Sequence, residues 1–139
     1  MKPRLFVLGG VCLLLAGFSA KAQEQQGNVY AVSTYKIPFD RISEYFELYE
    51  KEAKPRVAQN EFILSQRFFT HAYGPDWTVM VINEYKDLAS IQAAQKRGTE
   101  LFEKQYPDKA KRDELTKKFQ GFSQAHTDAL VVENPKLRK

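Results

Sequence analysis

The first half of the chain shows two different periods of hydrophobic residues, and each period predicts a different element. Residues 28–38 alternate and are rich in β-branched and aromatic side chains, which predicts a β-strand. From Phe39 to about Asn60, apolar residues recur at helical spacing, with glutamate and lysine on the other side. This pattern predicts an amphipathic helix, which Pro55 should kink or end because proline removes one backbone donor.

Two strands joined by a tight turn follow this helix. The segments 62–73 and 77–85 have strand composition, and Gly74-Pro75-Asp76 between them is typical of a turn. A four-residue loop, 73–76, sets which side chains share a face, and a loop one residue longer or shorter would exchange the faces. With this loop, one face carries Arg67, Phe69, His71, Met80 and Ile82. That face is too apolar to stay in water, so we expect a second copy of the chain to cover it.

The second half of the chain contains two capped helices and a last strand. Asp87 is placed to cap a helix that begins at Leu88 and that Pro107 ends. Asp108 can cap a further short helix in the same way. The stretch 126–133 is β-branched and apolar toward its end, which predicts the final strand.

The predicted order of elements is β-α-β-β-α-α-β, which corresponds to two β-α-β units joined by a hairpin. This order predicts an α+β fold of ferredoxin-like βαββαβ topology. Right-handed crossovers place the third strand between the first and the second, and the fourth strand outside the first. The result is a four-stranded antiparallel sheet with the helices covering one face. We expect a single domain over residues 23–139, with an ordered core of about 28–133.

The N-terminal residues 1–22 are predicted to be a signal peptide and not part of the fold. A basic start precedes the apolar run 5–18, and Ala20-Lys21-Ala22 is a small-x-small cleavage site. Cleavage after Ala22 would place the mature protein in the periplasm or outside a bacterial cell. The alternative is a retained membrane anchor, although the apolar run is short for a membrane span and Gly9-Gly10 interrupts it.

The composition of the mature chain narrows the classes of partner. Removal of 22 of the 139 residues leaves 117, enough for one domain with a modest core. The only cysteine, Cys12, leaves with the signal peptide, so the mature chain has neither thiol chemistry nor a disulfide. Loss of Lys2, Arg4 and Lys21 lowers the formal net charge from +4 to about +1. We therefore expect no nucleic-acid partner and, after cleavage, no membrane partner.

Two stretches, "YKIPFDRISEYFELYEKEAKP" and "WTVMVINEYKDLASIQA", are similar to a known group of proteins. Over roughly Asn28 to Glu133 the chain resembles the dimeric α+β barrel superfamily, which includes antibiotic-biosynthesis-type monooxygenases and NIPSNAP-like proteins, small exported bacterial ones among them. The resemblance implies a homodimer in which two sheets face each other, with a pocket inside the barrel or between sheet and helices. Members range from cofactor-free oxygenases to haem enzymes and proteins without a known activity, so fold alone does not choose a function.

Four candidate site residues are predicted to gather at one end of the sheet. The ends of the first two strands and the starts of the last two meet there, which brings together Tyr35, His71, Trp77 and His126. His71 and His126 are on opposite edge strands, about three strand spacings of ~4.8 Å apart. They cannot share a metal within one subunit, although they could pair across a dimer. With no cysteine and no histidine pair at ligand spacing, we expect neither a metal nor another cofactor.

Two further polar residues project from the hairpin. Arg67 could hold a ligand carboxylate with its planar guanidinium, and the alternative is a salt bridge between subunits, for example with Glu84. Asn83 could bind a ligand carbonyl, and the alternative is that it satisfies backbone groups. The many aromatic residues could line a pocket for a flat ligand, whereas the helical spacing of Tyr45 and Tyr49 favours core packing.

Three functions remain open from the sequence. The leading interpretation is an exported homodimeric α+β barrel that binds a small, partly aromatic ligand, oriented by Arg67 and the residues at the end of the sheet. The second is a cofactor-free monooxygenase acting on a phenol or quinol, with His71, Tyr35 or Asn83 in proton transfer. The third is a purely structural dimer. An open cavity where Arg67, His71 and Asn83 converge would favour the first two, and a packed interior the third.

Overall fold

The structure is a computed structural model that describes residues 27–73 and 77–137. The predicted signal peptide and the turn 74–76 lie outside the described residues. The helices and strands are β1 (Val29–Tyr35), α1 (Ile42–Glu52), α2 (Lys54–Val57), β2 (Ser65–Thr70), β3 (Val79–Tyr85), α3 (Leu88–Gln105), α4 (Lys109–Gln120) and β4 (His126–Val132), with single 3-10 turns at Phe39–Arg41 and Pro135–Leu137. In this part of the chain no helix is long and apolar enough to cross a membrane.

The four strands form one antiparallel sheet in the order β2-β3-β1-β4, which confirms the predicted α+β, ferredoxin-like topology. In the β2–β3 hairpin, Arg67 pairs with Ile82 and Phe69 pairs with Met80. This is the register that a four-residue loop at 73–76 predicts. Arg67 therefore lies on the face of the sheet that points away from the helices, together with Phe69, Met80 and Ile82. We call this the outer face.

The predicted helix from Phe39 to about Asn60 is not continuous. A 3-10 turn comes first, α1 ends at Glu52, and the separate short helix α2 carries Pro55 in its first turn. Proline explains the break, because its ring clashes with the carbonyl four residues earlier and it has no N–H to donate. Asn60 then fastens this segment to α3, since its side-chain amide donates to the carbonyl of Ala94 over 2.8 Å.

Both predicted aspartate caps are confirmed. The Asp87 carboxylate accepts a hydrogen bond from the backbone N–H of Ser90 at 2.8 Å, and Asp108 accepts one from that of Ala110 at 2.8 Å. Each carboxylate accepts from an N–H that has no partner within its own helix, and its negative charge interacts favourably with the positive end of the helix dipole. These two residues therefore determine where α3 and α4 begin.

The core lies between the helices and the two central strands. Its most deeply buried side chains are Ile37, Val79 and Phe122, and Tyr45 and Val81 complete the cluster. Strand β1 ends earlier than predicted, because beyond its end the backbone of Ile37 forms hydrogen bonds with the hydroxyl of Thr78. This hydroxyl accepts from the N–H of Ile37 at 2.7 Å and donates to the carbonyl of the same residue at 2.7 Å.

The helices cover less of the sheet than the sequence predicts. Every residue of β4 is exposed, and Leu130 and Val132 on its helix-facing side are among the exposed large hydrophobic residues. No helix of the described chain covers the half of this edge strand that contains Leu130 and Val132. The start of β4, at His126 and Asp128, forms one wall of the cleft described in the next section.

A hydrogen-bonded carboxylate stands among the apolar residues of the outer face. Glu84 accepts from Ser65 Oγ at 2.5 Å, Asn28 Nδ2 at 2.6 Å, Tyr30 Oη at 3.2 Å and Arg67 Nη2 at 3.3 Å. The hydrogen bonds from Ser65 and then Asn28 lower the pKa of Glu84 the most, and burial opposes them. The folded protein thus stabilises the ionised form of this carboxylate.

We expect Glu84→Gln to lower the free energy of unfolding by about 1–2 kcal/mol at neutral pH, because amide oxygens accept these bonds less strongly. The folded pKa is below the unfolded one, so the advantage of the wild type is present above the unfolded pKa and is lost as the pH falls through the folded value. Urea unfolding at about pH 7 and about pH 3 should therefore show a difference that shrinks in acid. An unchanged difference would contradict the charge-based account, and Glu47→Gln on the exposed side of α1 is the control.

Candidate ligand-binding site

Tyr35 and His126 form the centre of the candidate site. They are directly opposite each other in the β1–β4 register, at the end of the sheet where the sequence predicts them. Both side chains point to the helix-facing side, and their rings stack with centroids 6.0 Å apart and planes at 22°. Opposed side chains in an antiparallel pair are close enough for such contact. This stacked pair forms a flat surface at the end of the strands.

A chain of polar side chains continues from this pair along the same face. One step further in the register, Ser33 is opposite Asp128, and its hydroxyl donates to Oδ1 of Asp128 at 2.6 Å. The other carboxylate oxygen is 3.6 Å from Nε2 of His126. The carboxylate is thus held by Ser33 and positioned to orient the imidazole. An imidazole oriented in this way can donate a proton to a ligand or accept one from it.

Ser33 and Asp128 were not predicted as site residues, although the sequence contains a signal for both. Side chains two apart on a strand share a face, so Asp128 must follow His126 and Ser33 must precede Tyr35 on the same side. Once β1 and β4 are paired as antiparallel neighbours, the four side chains form a square. Ser33 and Asp128 follow when the strand pairing is continued inward from the end of the sheet.

A cavity of about 550 Å³ lies over this square, between the two strands and the C-terminal end of α4. We call it the rim cleft, and its lining consists of Tyr35, Ile37, Tyr45, Phe119, Gln120, Ser123, His126 and Asp128. A smaller cavity of about 240 Å³ lies at the end of the sheet and shares Tyr35 and His126, with Trp77 on its far side. Three of the four residues predicted to gather at this end therefore line one or both cavities. The volume and the mixed aromatic and polar lining are those of a small-molecule site.

The fourth residue, His71, follows the end of β2 at this end of the sheet and lines neither cavity. Its Nδ1 is 2.5 Å from the carbonyl oxygen of Trp77, its Nε2 contacts the carbonyl of Tyr73, and its ring is 4.6 Å from the Trp77 ring. Both ring nitrogens are thus engaged by the backbone of the turn. As the strand order predicts, His71 and His126 are at opposite edges of the sheet and do not meet within the chain.

Arg67, His71 and Asn83, whose convergence would have favoured a ligand site among them, do not converge within the chain. Arg67 is on the outer face, where its Nη2 is 3.3 Å from a carboxylate oxygen of Glu84 in the same chain. Asn83 points to the helix-facing side, and its Oδ1 accepts from Nε2 of Gln66 at 2.7 Å. Successive side chains along a strand point to opposite faces of the sheet. Arg67 pairs with Ile82, and Asn83 is the next residue after Ile82, so the side chains of Arg67 and Asn83 lie on opposite faces.

Burial keeps the phenols of the rim cleft protonated. It is the largest effect raising the pKa of Tyr35, with the charge of Asp128 adding to it and a hydrogen bond to Ser33 opposing it. Burial also raises the pKa of Tyr45. Both tyrosines are therefore neutral hydroxyl groups at physiological pH and can donate a hydrogen bond. The Asp128 carboxylate and the His126 imidazole are the groups of the cleft that can accept a proton.

The described residues contain no group of three or more histidine, cysteine, aspartate or glutamate side chains arranged to hold a metal ion. The His126–Asp128 pair has two members only. What the cleft offers is a stacking surface, two phenol hydroxyl groups and one imidazole–carboxylate pair.

Together, the fold and the cleft define a ferredoxin-like α+β protein with a ligand-sized cavity at one end of its sheet. No family model matches the chain, and no curated protein sequence matches it. An uncharacterized NIPSNAP domain protein from Burkholderia xenovorans shares the fold, with a TM-score of 0.61 at 14% identity over 80% of this chain and 99% of that one. A NIPSNAP family protein from Agrobacterium tumefaciens has a TM-score of 0.57 at 14% identity, over 78% and 88%.

A dimeric ferredoxin-like protein from an uncultured marine organism has a TM-score of 0.59 at 9% identity, over 86% of this chain and 97% of that one. These structures confirm, at the level of the fold, the resemblance to the dimeric α+β barrel and NIPSNAP-like proteins. At such identities the likeness concerns the fold alone, so the function must be inferred from the site.

Proposed function

We propose that the protein is an exported homodimer that binds a small, partly aromatic ligand in the rim cleft. The observation that carries this proposal is the cavity of about 550 Å³ whose lining combines aromatic side chains with the exposed His126–Asp128 pair. Tyr45 and Phe119 meet edge to face at 6.2 Å and form one wall. An aromatic ring can lie between that wall and the Tyr35–His126 stack, with its polar substituent on His126.

The homodimer is supported by the apolar outer face. Phe69 and Val131 on this face are 43% and 46% exposed, and the central side chains Val32, Met80 and Ile82 connect them. A continuous apolar surface of this kind is uncommon on a monomer and is typical of a contact between proteins. Two copies packed through this face would leave both rim clefts open, because the clefts are on the opposite side of each sheet.

Export is supported by the signal-peptide pattern of residues 1–22. We infer that the mature chain works in the periplasm or outside the cell. There a ligand would reach the cleft without crossing the inner membrane.

Native mass spectrometry of residues 23–139, recovered by export from a bacterial host, tests the proposal. We expect a dimer that carries a reproducible additional mass. His126→Gln should lower the occupied fraction by about tenfold, since it replaces the imidazole that orients the ligand. His71→Gln is the matched control, because it alters the other histidine at the same end of the sheet without touching the rim cleft, and it should keep the additional mass.

The outcomes separate the three interpretations. A bare dimer from several growth conditions would favour the structural dimer. A monomer would contradict the proposed assembly. Equal loss of the additional mass in both histidine variants would place the ligand outside the rim cleft.

The His126–Asp128 pair also favours a second candidate, the cofactor-free oxygenase. Here His126, oriented by Asp128, removes the phenolic proton of the substrate, and the resulting phenolate supplies the electrons that reduce oxygen. One oxygen atom enters the ring and the other leaves as water, so a phenol and O₂ give a quinone and H₂O without an external reductant. Oxygen uptake by the purified protein on addition of 1-naphthol distinguishes this activity from binding alone.

A further inference from the structure

A second cleft lies at the other end of the molecule, between α2 and α3. Its volume is about 440 Å³, and Tyr85 forms its floor. Tyr85 pairs with Val29 at the end of the sheet that is opposite to Tyr35, so this cleft and the rim cleft are separate. Its walls are mostly apolar, with Val57 and Ile63 on one side and Ala94 and Phe102 on the other. The proposed function uses none of these residues.

A partly buried cation lines this cleft. The guanidinium of Arg56 stacks over the ring of Phe102, 4.1 Å from the ring centroid. Its Nη1 is fully buried and has no hydrogen-bond partner, the only such side-chain nitrogen or oxygen among the described residues. A buried N–H of a charged group without an acceptor is unfavourable, so an anion beside this guanidinium would stabilise it.

The expected partner within the chain is engaged elsewhere. Glu52 is four residues before Arg56, which is the spacing for an ion pair on a helix. Its carboxylate instead accepts from the hydroxyl of Tyr106 and lies 3.7 Å from Nζ of Lys51. Arg56 therefore retains its charge beside an apolar cavity. Burial lowers the pKa of this guanidinium, and the nearby Tyr106 and Glu52 oppose the shift.

We propose that this cleft, which we call the arginine cleft, binds an organic monocarboxylate with an apolar body. The carboxylate would accept from the accessible part of the Arg56 guanidinium, and the apolar part would lie over Tyr85 and Phe102. A single guanidinium matches one carboxylate. The Glu52 charge nearby disfavours a dianion such as phosphate, and the apolar walls disfavour a small hydrophilic anion.

Gly98 supports the assignment from the side of α3. It lines the cleft, and a Cβ at this position would meet only Nδ2 of Asn60, at 3.8 Å. The helix therefore presents bare backbone to the cavity, and a larger side chain would extend into open space. This provides a substitution that fills the cleft without disturbing the packing of α3.

Calorimetric titration with octanoate and with octan-1-ol tests the proposal, since the two probes differ in the carboxylate. We expect the wild type to bind octanoate at least about tenfold more tightly than octan-1-ol, and Arg56→Met to remove that preference. Gly98→Leu should abolish binding of both. Arg97→Met is the control, because Arg97 pairs with Glu61 and Glu100 on the outside of α3 and does not line the cleft.

The ratio of the two affinities makes the test independent of any change in stability. An equal preference for octanoate in wild type and Arg56→Met would overturn the proposal, as would a loss of preference in Arg97→Met. Addition of octanoate should shift the backbone amide NMR signals of Ala94, Gly98 and Phe102. Shifts confined to the residues of the rim cleft would also overturn the proposal. The inference does not rest on the proposed function, since His126→Gln should leave octanoate binding unchanged.

Discussion

Replacement of Phe122 by alanine is expected to lower the free energy of unfolding by about 3–5 kcal/mol. Phe122 is 1% exposed and meets the ring of Tyr45 at 5.7 Å, edge to face. On its other side the guanidinium of Arg41 is 4.3 Å from the ring centroid. Truncation would remove the contacts of a whole ring and leave a cavity between α1, the end of α4 and the sheet. Urea unfolding followed by circular dichroism measures the change.

The control for this prediction is a phenylalanine of the same chain that packs against little. Phe39 is 71% exposed, and Phe39→Ala should change the free energy of unfolding by no more than about 0.5 kcal/mol. If Phe122→Ala had an equally small effect, the segment after α4 would not be anchored in the core. The wall of the rim cleft that α4 provides would then lose its support.

Ile82→Lys is expected to weaken self-association by at least about a hundredfold. Ile82 is in a central strand of the outer face, opposite Val32 on one side and Arg67 on the other. In the proposed dimer this position is covered by the second sheet, so an ammonium group there would be buried beside Arg67, while the nearby Glu84 carboxylate already accepts from four donors. Burial of an unpaired charge costs several kcal/mol. Sedimentation velocity over a range of protein concentrations measures the dissociation constant.

Leu88→Lys is the matched control for the dimer. It makes the same exchange at an exposed leucine in the first turn of α3, away from the sheet, and should leave the dissociation constant unchanged. A dimer that persists in Ile82→Lys would show that the outer faces do not form the interface. Weakening by both variants would indicate a general effect of added positive charge.

The hairpin could be predicted in detail because its rules are local. The loop length sets the register, and the register sets which side chains share a face. This reasoning places Arg67, Phe69, Met80 and Ile82 together, as the structure does. The two aspartate caps were predictable for the same reason, since a cap acts within one turn of its own helix.

The candidate site was only half predictable. Tyr35, Trp77 and His126 follow from the strand order, which brings the ends of distant strands together. The polar partner of His126 did not emerge, because Asp128 becomes relevant only when β1 and β4 are paired residue by residue. His71 is also a histidine at this end of the sheet, yet the backbone carbonyls of Trp77 and Tyr73 contact both of its ring nitrogens.

The environment of Arg56 could not be predicted from the sequence. In the sequence it has Glu52 at ion-pair spacing and resembles any surface arginine of a helix. The break at Ala53 and the competing hydroxyl of Tyr106, more than fifty residues later, separate that pair in the folded chain. The buried state of its Nη1 is a product of packing between distant segments.

The sequence by itself determined the order of the elements, their caps and the register of the hairpin, and hence the α+β, ferredoxin-like sheet. These features depend on periodicity, on turn chemistry and on contacts within a few residues. The tertiary structure alone decided which side chains line the two clefts, which polar groups are satisfied and how far the helices cover β4. Those outcomes depend on the packing of segments that are far apart in the chain, where small differences in position determine whether a polar group meets a partner or a cavity.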